Sequence, residues 1–316
     1  MVGREGQQQK SSVGDGLLDP TLKSEILRYA DFARICYSVI KNDEIVKESN
    51  NLRERGYEIT DYIFYNVRLC TSYYRRPIGF IAVCTDENEI RRVGGRDIVV
   101  AFRGTSKRRE WIQNLKDKVV PWQDLPGPSS KPVLGICKGF LGYYEDKGEY
   151  NCDSSPKDII ERTITRLVEK YKGESLSIII CGHSLGGALA TMSAYHIKLL
   201  RPSTPVTVFT FASPRVGNRP FADHMEEIRV KVVRVVVKGD LVTKVPGLIL
   251  NENAHNRVAR LEGQKFVGQW AYCHVGTKIR LDPSSSPDLS WKARLFHRHN
   301  LETYLHLLTR YTTCSS

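Results

Sequence analysis

The chain has 316 residues, 41% of them hydrophobic and 26% charged, a composition that excludes a fibrous or wholly disordered protein and allows a sizeable core. Its 47 Lys and Arg against 35 Asp and Glu leave a net charge of +12. The basic residues fall in short clusters such as Lys107-Arg108-Arg109, without a basic tail or a nucleic-acid motif, so no nucleic-acid partner is expected.

No run of about 18 apolar residues occurs, so no transmembrane segment is expected and any membrane contact should be peripheral. Eight cysteines lack a Cys-x-x-Cys pair, and no apolar signal core follows Met1. They read as reduced thiols of an intracellular protein. Residues 1–15 are polar and rich in Gln, Ser and Gly, as in a disordered tail, and residues 16–316 lack a repeat or linker that would divide them, so one domain is expected. Glu5 and Asp15, without a Ser/Arg-rich amphipathic stretch, favour a cytoplasmic location; a longer native N-terminus would favour the chloroplast instead.

A helix should start at Pro20, because Ile26, Tyr29, Ala30, Ala33, Tyr37 and Ile40 recur on one helical face. Short β-rich runs follow at 62–65, 79–84 and 98–102. Trp111, Leu115 and Val119, four apart and opposed by Lys and Arg, predict an amphipathic helix between Thr105 and Pro121. Ser155-Pro156 is a helix-start signal leading into the stripe Ile160, Ile164, Leu167 and Val168. The apolar runs Leu176 to Cys181, Val206 to Phe211 and Val230 to Val237 lack strict alternation, as strands covered on both faces do. This rhythm predicts an α/β fold with a mostly parallel central sheet flanked by helices.

The chemistry concentrates where the Ser177 to Cys181 strand enters Gly182-His183-Ser184-Leu185-Gly186 and a small-residue helix follows. A serine on a sharp strand-to-helix turn has its hydroxyl exposed, needs flanking glycines because a Cβ would clash, and lies beside helix N-terminal N–H groups able to stabilise an oxyanion. Ser184 is therefore the candidate nucleophile. His183 should point away from it and serve packing or hydrogen bonding.

With Val100-Ala101-Phe102-Arg103-Gly104-Thr105, the Gly182 to Ala190 block, Ser213-Pro214-Arg215-Val216-Gly217-Asn218, Gly16 to Pro20 and His299-Asn300-Leu301-Glu302, the chain resembles the class 3 lipases and, within them, the plant phospholipase A1 group. The resemblance implies an α/β-hydrolase fold with a lid helix, matching the Trp111, Leu115, Val119 stripe. It implies backbone oxyanion donors at Thr105 and Leu185. The acid and then the histidine should follow the serine along the chain. Asp240, at the end of the Val230 to Val237 strand, is the candidate acid, with Asp223 and Asp282 as rivals; Thr243 stands where the family commonly has proline. The family pattern selects His299 as base over His297, and His306 reads as a packing residue two turns into the following helix.

The implied activity is release of the sn-1 fatty acid from phospholipids or galactolipids through an acyl-enzyme, with no cofactor and no metal, at a membrane lipid or lipid-droplet surface. A triacylglycerol lipase or general carboxylesterase, and a non-catalytic lipase-like signalling protein, are the alternatives. Oligomeric state is not encoded in any motif.

Overall fold

The computed structural model describes residues 18–46, 50–69, 72–105, 118–122, 133–147, 154–247, 271–286 and 297–312. Helix α1 (Pro20–Val39) is capped by the Asp19 side chain, which accepts from the Leu22 N–H at 2.8 Å. It buries Ile26, Tyr29, Ala30 and Ala33 as the spacing predicts, and Phe32, Ile35 and Cys36 besides. Ile40 is already extended, so the helix ends one residue before the predicted stripe does.

Seven strands form the central sheet. β1 (Tyr57–Leu69) and β2 (Ser72–Cys84) are an antiparallel hairpin, and β2 runs antiparallel to β3 (Arg96–Phe102). The predicted runs at 62–65 and 79–84 are thus pieces of far longer strands. Glu58, Asp61 and Asn66 interrupt the apolar pattern of β1, which lies at the sheet edge and tolerates polar side chains. From β3 onward every pairing is parallel, through β4 (Leu176–His183), β5 (Val206–Phe211), β6 (Lys231–Val237) and β7 (Thr277–Leu281), and the strands stand in the sheet in chain order.

Alternation within these strands feeds two cores. Ile98, Val100, Phe102, Ile178 and Ile180 face α2 (Pro156–Lys170) and α3 (Leu185–Leu200), while Val99, Ala101, Ile179 and Cys181 face α1 and α4 (Leu301–Thr309). Both faces are therefore covered, which is why β3 is buried from end to end and its sequence from Ile98 to Phe102 reads as a continuous apolar run. Cys36, Cys84, Cys137, Cys181 and Cys273, the cysteines among the described residues, are unbridged and buried.

A smaller antiparallel sheet lies apart, built from residues 119–121, 135–137, 217–218 and 272–273. It corrects one expectation. Val119 belongs to a strand, paired with Cys137, and not to the amphipathic helix in which its spacing from Leu115 placed it. Consecutive β-branched Val119 and Val120 followed by proline suit an extended edge better than a helical turn. Trp111 and Leu115, the rest of the proposed lid stripe, and the tail at 1–15 lie outside the described residues.

The start of α2 offers a direct stability test. Ser155 accepts from the Asp158 N–H at 3.2 Å, while the Asp158 carboxylate accepts from the Ser155 N–H at 3.0 Å, forming a reciprocal cap. Ser155→Ala should lower stability by about 1 kcal/mol, read as a shifted denaturation midpoint with unchanged denaturant sensitivity.

Candidate active site

All the parallel strands point their C-terminal ends to one rim of the sheet, and the candidate residues collect there. Between β4 and α3 the chain reverses in a single residue. Ser184 takes φ 59° and ψ −125°, a conformation that L side chains disfavour at a cost of roughly 1–3 kcal/mol. Its N–H bonds to the Phe211 carbonyl at 2.9 Å, and its carbonyl accepts from Gly187 N–H at 2.9 Å, which holds the turn from both sides.

The glycines around it are required by space. A Cβ on Gly182 would sit 2.2 Å from the Gly186 carbonyl oxygen, and one on Gly186 would sit 2.6 Å from the Arg103 carbonyl oxygen. The same crowding brings the end of β3 against the turn, since a Cβ on Gly104 would lie 2.9 Å from that of Ser184. Thr105 follows directly and is half-buried. Leu185 is the first residue of α3, where backbone N–H groups have no acceptor within the helix.

Ser184, His299 and Asp240 come together from three separate parts of the chain. His299 Nε2 lies 2.8 Å from Ser184 Oγ, and His299 Nδ1 lies 2.8 Å and 3.1 Å from the two Asp240 carboxylate oxygens. All three residues are buried. In neutral imidazole this geometry has Nδ1–H donating to Asp240 and Nε2 accepting from the serine hydroxyl. Asp240 also accepts from Val242 N–H at 3.0 Å and from the Tyr304 hydroxyl at 2.7 Å. Burial and the neighbouring carboxylate push the Tyr304 hydroxyl well above the ordinary phenol range, so it remains a donor.

The rivals are elsewhere. Asp223 is paired with Arg219 at 2.6 Å and Asp282 with Lys238 at 2.8 Å. His297 is exposed, and His306 bonds Ser286 at 2.8 Å, apart from the serine. His183 points away from Ser184, as expected of adjacent residues on a tight turn. Its Nε2 donates to the His299 carbonyl at 2.9 Å and its Nδ1 accepts from Tyr37 at 2.7 Å, while the Tyr37 oxygen accepts from Gly104 N–H at 2.9 Å.

Two tyrosines at this site carry a polar tip that the apolar pattern of their helices does not distinguish. The half-buried Tyr37 extends the apolar face of α1, and Tyr304 lies on the buried stripe of α4. The available signal was general: a tyrosine at a core-facing position must find a hydrogen-bond partner. Among the described residues no cluster of His, Cys, Asp and Glu suited to a metal ion occurs.

Comparison with known proteins adds three kinds of likeness. The family model described as lipase (class 3) matches residues 99–249. Three proteins of Arabidopsis thaliana are similar across nearly the whole chain. Phospholipase A1-Igamma1, chloroplastic, is 37% identical over 93% of this chain and 64% of its own length. Phospholipase A(1) DAD1, chloroplastic, is 35% identical over 95% and 75%, and galactolipase DONGLE, chloroplastic, is 34% identical over 93% and 66%. The chain thus spans a little under two thirds of the first of these relatives. Among solved structures, a Rhizomucor miehei lipase propeptide complex superposes with TM-score 0.59 at 17% identity, covering 95% of this chain and 85% of that one, which identifies the α/β-hydrolase fold.

Tyr304→Phe tests how the buried carboxylate is held. The substitution removes a donor from Asp240 and leaves the Val237 N–H, which bonds the Tyr304 oxygen at 3.1 Å, without its acceptor. A loss of about 1–3 kcal/mol in chemical denaturation is expected; an unchanged midpoint would mean that these bonds are replaced by water.

Proposed function

The chain belongs to the class 3 lipase family, in its plant phospholipase A1 group, and on that premise we propose that it is a serine-dependent lipid acyl hydrolase. The preferred reaction is release of the sn-1 fatty acid from phospholipids or galactolipids, as the names of its relatives favour. The observation that carries the reading is the chain of hydrogen bonds from Ser184 through His299 to Asp240, built on a strained turn. Residues 16–316 are taken as one catalytic domain.

In this scheme His299 Nε2 accepts the Ser184 proton as Oγ attacks the ester carbonyl, and Asp240 stabilises the imidazolium and fixes its tautomer. The tetrahedral oxyanion is received by the Leu185 N–H and by Thr105, each donor contributing about 2.7–4 kcal/mol to the transition state. His299 then protonates the departing alcohol of the lysolipid. Water, deprotonated by the same nitrogen, attacks the acyl-enzyme and frees the fatty acid. No step calls for a metal or cofactor.

Access to lipid would be peripheral, since among the described residues no helix is long and apolar enough to cross a membrane. Leu241, 65% exposed, stands beside Asp240 on the rim where the serine lies. Tyr74 projects beyond the last pairing of β2 with β3, toward that same rim, and is 52% exposed. Apolar groups left in water there are stabilised by contact with a lipid surface. The stripe of Trp111 and Leu115 is proposed to act as a lid. The relatives named as chloroplastic favour the plastid over the cytoplasm expected from residues 1–15.

The test uses mixed-chain phosphatidylcholine, galactolipid and triacylglycerol dispersions, with the released chain identified by mass. Wild type should release the sn-1 chain from the polar lipids and Ser184→Ala none, while Asp240→Asn should lower kcat by up to about 10⁴-fold. Equal release by wild type and Ser184→Ala would remove the serine from the mechanism, and preference for triacylglycerol would reassign the substrate.

A further inference from the structure

The Ser213 to Asn218 segment was singled out by its sequence and has no part in the chemistry above. Its Arg215 reaches the loop that carries Asp240. The guanidinium Nη1 donates to the carbonyl of Lys244, to that of Pro246 at 2.9 Å and to that of Gly247 at 3.3 Å, and the Arg215 backbone N–H donates to the Val245 carbonyl at 2.9 Å. The one remaining carbonyl in this stretch, that of Thr243, accepts from His274 Nε2 at 2.9 Å. Five successive carbonyls, 243 to 247, are thus taken by two side chains and one backbone N–H of two residues distant in sequence.

The chain of bonds continues to the acid itself. Thr243 Oγ1 donates to the Asp240 carbonyl at 2.8 Å, and the Lys244 N–H bonds the Leu241 carbonyl at 3.0 Å. On the other side, the segment bearing Arg215 packs on the helix behind the nucleophile: a Cβ on Gly187 would lie 2.7 Å from that of Ser213. Asn218 anchors the far end, accepting from the Gly135 and Phe221 N–H groups and donating to the Val133 carbonyl. Arg215 therefore joins the acid loop to a segment seated against the nucleophile helix. Among the described residues it makes no ion pair with a carboxylate, so its donors go to the loop backbone.

We propose that Arg215, with His274, is a positioning residue that braces residues 243–247 so that Asp240 is held at His299. The inference rests on the hydrolase reading and concerns the placement of its acid. Where the family commonly has proline after the acid, this chain has Thr243, whose hydroxyl and carbonyl supply the last two links of the brace. In place of a stiff residue, Thr243 supplies one hydrogen bond within the loop, to Asp240, and accepts one from outside it, from His274.

The experiment compares steady-state kinetics on phosphatidylcholine vesicles, fluorophosphonate labelling of Ser184 and thermal melts for wild type, Arg215→Gln, Arg215→Lys and Thr243→Val. Loosening the acid by an ångström should cut kcat of Arg215→Gln by about 10²-fold with KM within about twofold, and slow labelling in proportion. Arg215→Lys, which keeps a cationic donor near the same carbonyls, should recover part of the loss. If Arg215→Gln fails to fold, Thr243→Val decides by itself, with an expected kcat loss of about tenfold that marks one lost link. A folded Arg215→Gln with wild-type kcat, a change confined to KM, or an unchanged Thr243→Val when Arg215→Gln does not fold, overturns the brace. An active wild type with any of these results leaves the hydrolase reading intact, whereas a wild type that neither labels nor releases fatty acid overturns both.

Discussion

A carboxylate only 2% exposed must be compensated by its surroundings, because removing a charge from water costs several kcal/mol even after relaxation. Asp240 obtains that compensation from three sides. Val242 supplies a backbone N–H from its own loop, Tyr304 a hydroxyl from α4 and His299 an imidazole N–H from the segment before α4. One partner lies in the acid's own loop and the other two on the chain that leads into α4, so satisfying the carboxylate forces the end of β6 and the start of α4 into one arrangement. That arrangement leaves the second imidazole nitrogen aimed at Ser184. The cost of burying the acid and the alignment of the base are the same structural fact.

The serine side is governed by steric exclusion. Gly182 and Gly186 permit a reversal so tight that the end of β3 rests on it, and Gly104 lies against Ser184 for the same reason. Tyr37 then ties this contact to the histidine side through His183, whose ring nitrogens serve the Tyr37 hydroxyl and the His299 carbonyl. Helix α1 thereby joins the end of β3, the turn that bears Ser184 and, through His183, the segment that bears His299. The His183 side chain is held by hydrogen bonds, and its neighbour Ser184 keeps a strained backbone because hydrogen bonds to Phe211 and Gly187 hold the turn.

Much of this was legible beforehand where the physics is local or periodic. The Ser155 cap, the buried parallel strands and the Gly-x-Ser-x-Gly turn each carry a signature within a few residues, and all three lie where expected. Asp240 and His299 were reachable through chain order and family pattern, although their proximity depends on contacts 59 residues apart in the chain. The extent of β1 was hidden by polar residues that an edge strand tolerates. Val119 was misplaced because a spacing of four fits a helix, whereas its pairing with Cys137 is non-local. The bonding roles of Tyr37, Tyr304 and Arg215 escaped for a common reason: their hydrogen-bond partners lie in segments that only the fold brings near.

The central claim is that Ser184 is an activated nucleophile, and site-mapped fluorophosphonate labelling of folded wild type against His299→Ala tests it most directly. The account predicts rapid modification of Ser184 in wild type and slow or no modification in the variant, with both proteins showing the same melt. Unlabelled Ser184 in folded wild type, or equal labelling in His299→Ala, would contradict it and turn attention to a partner-binding role for the same fold.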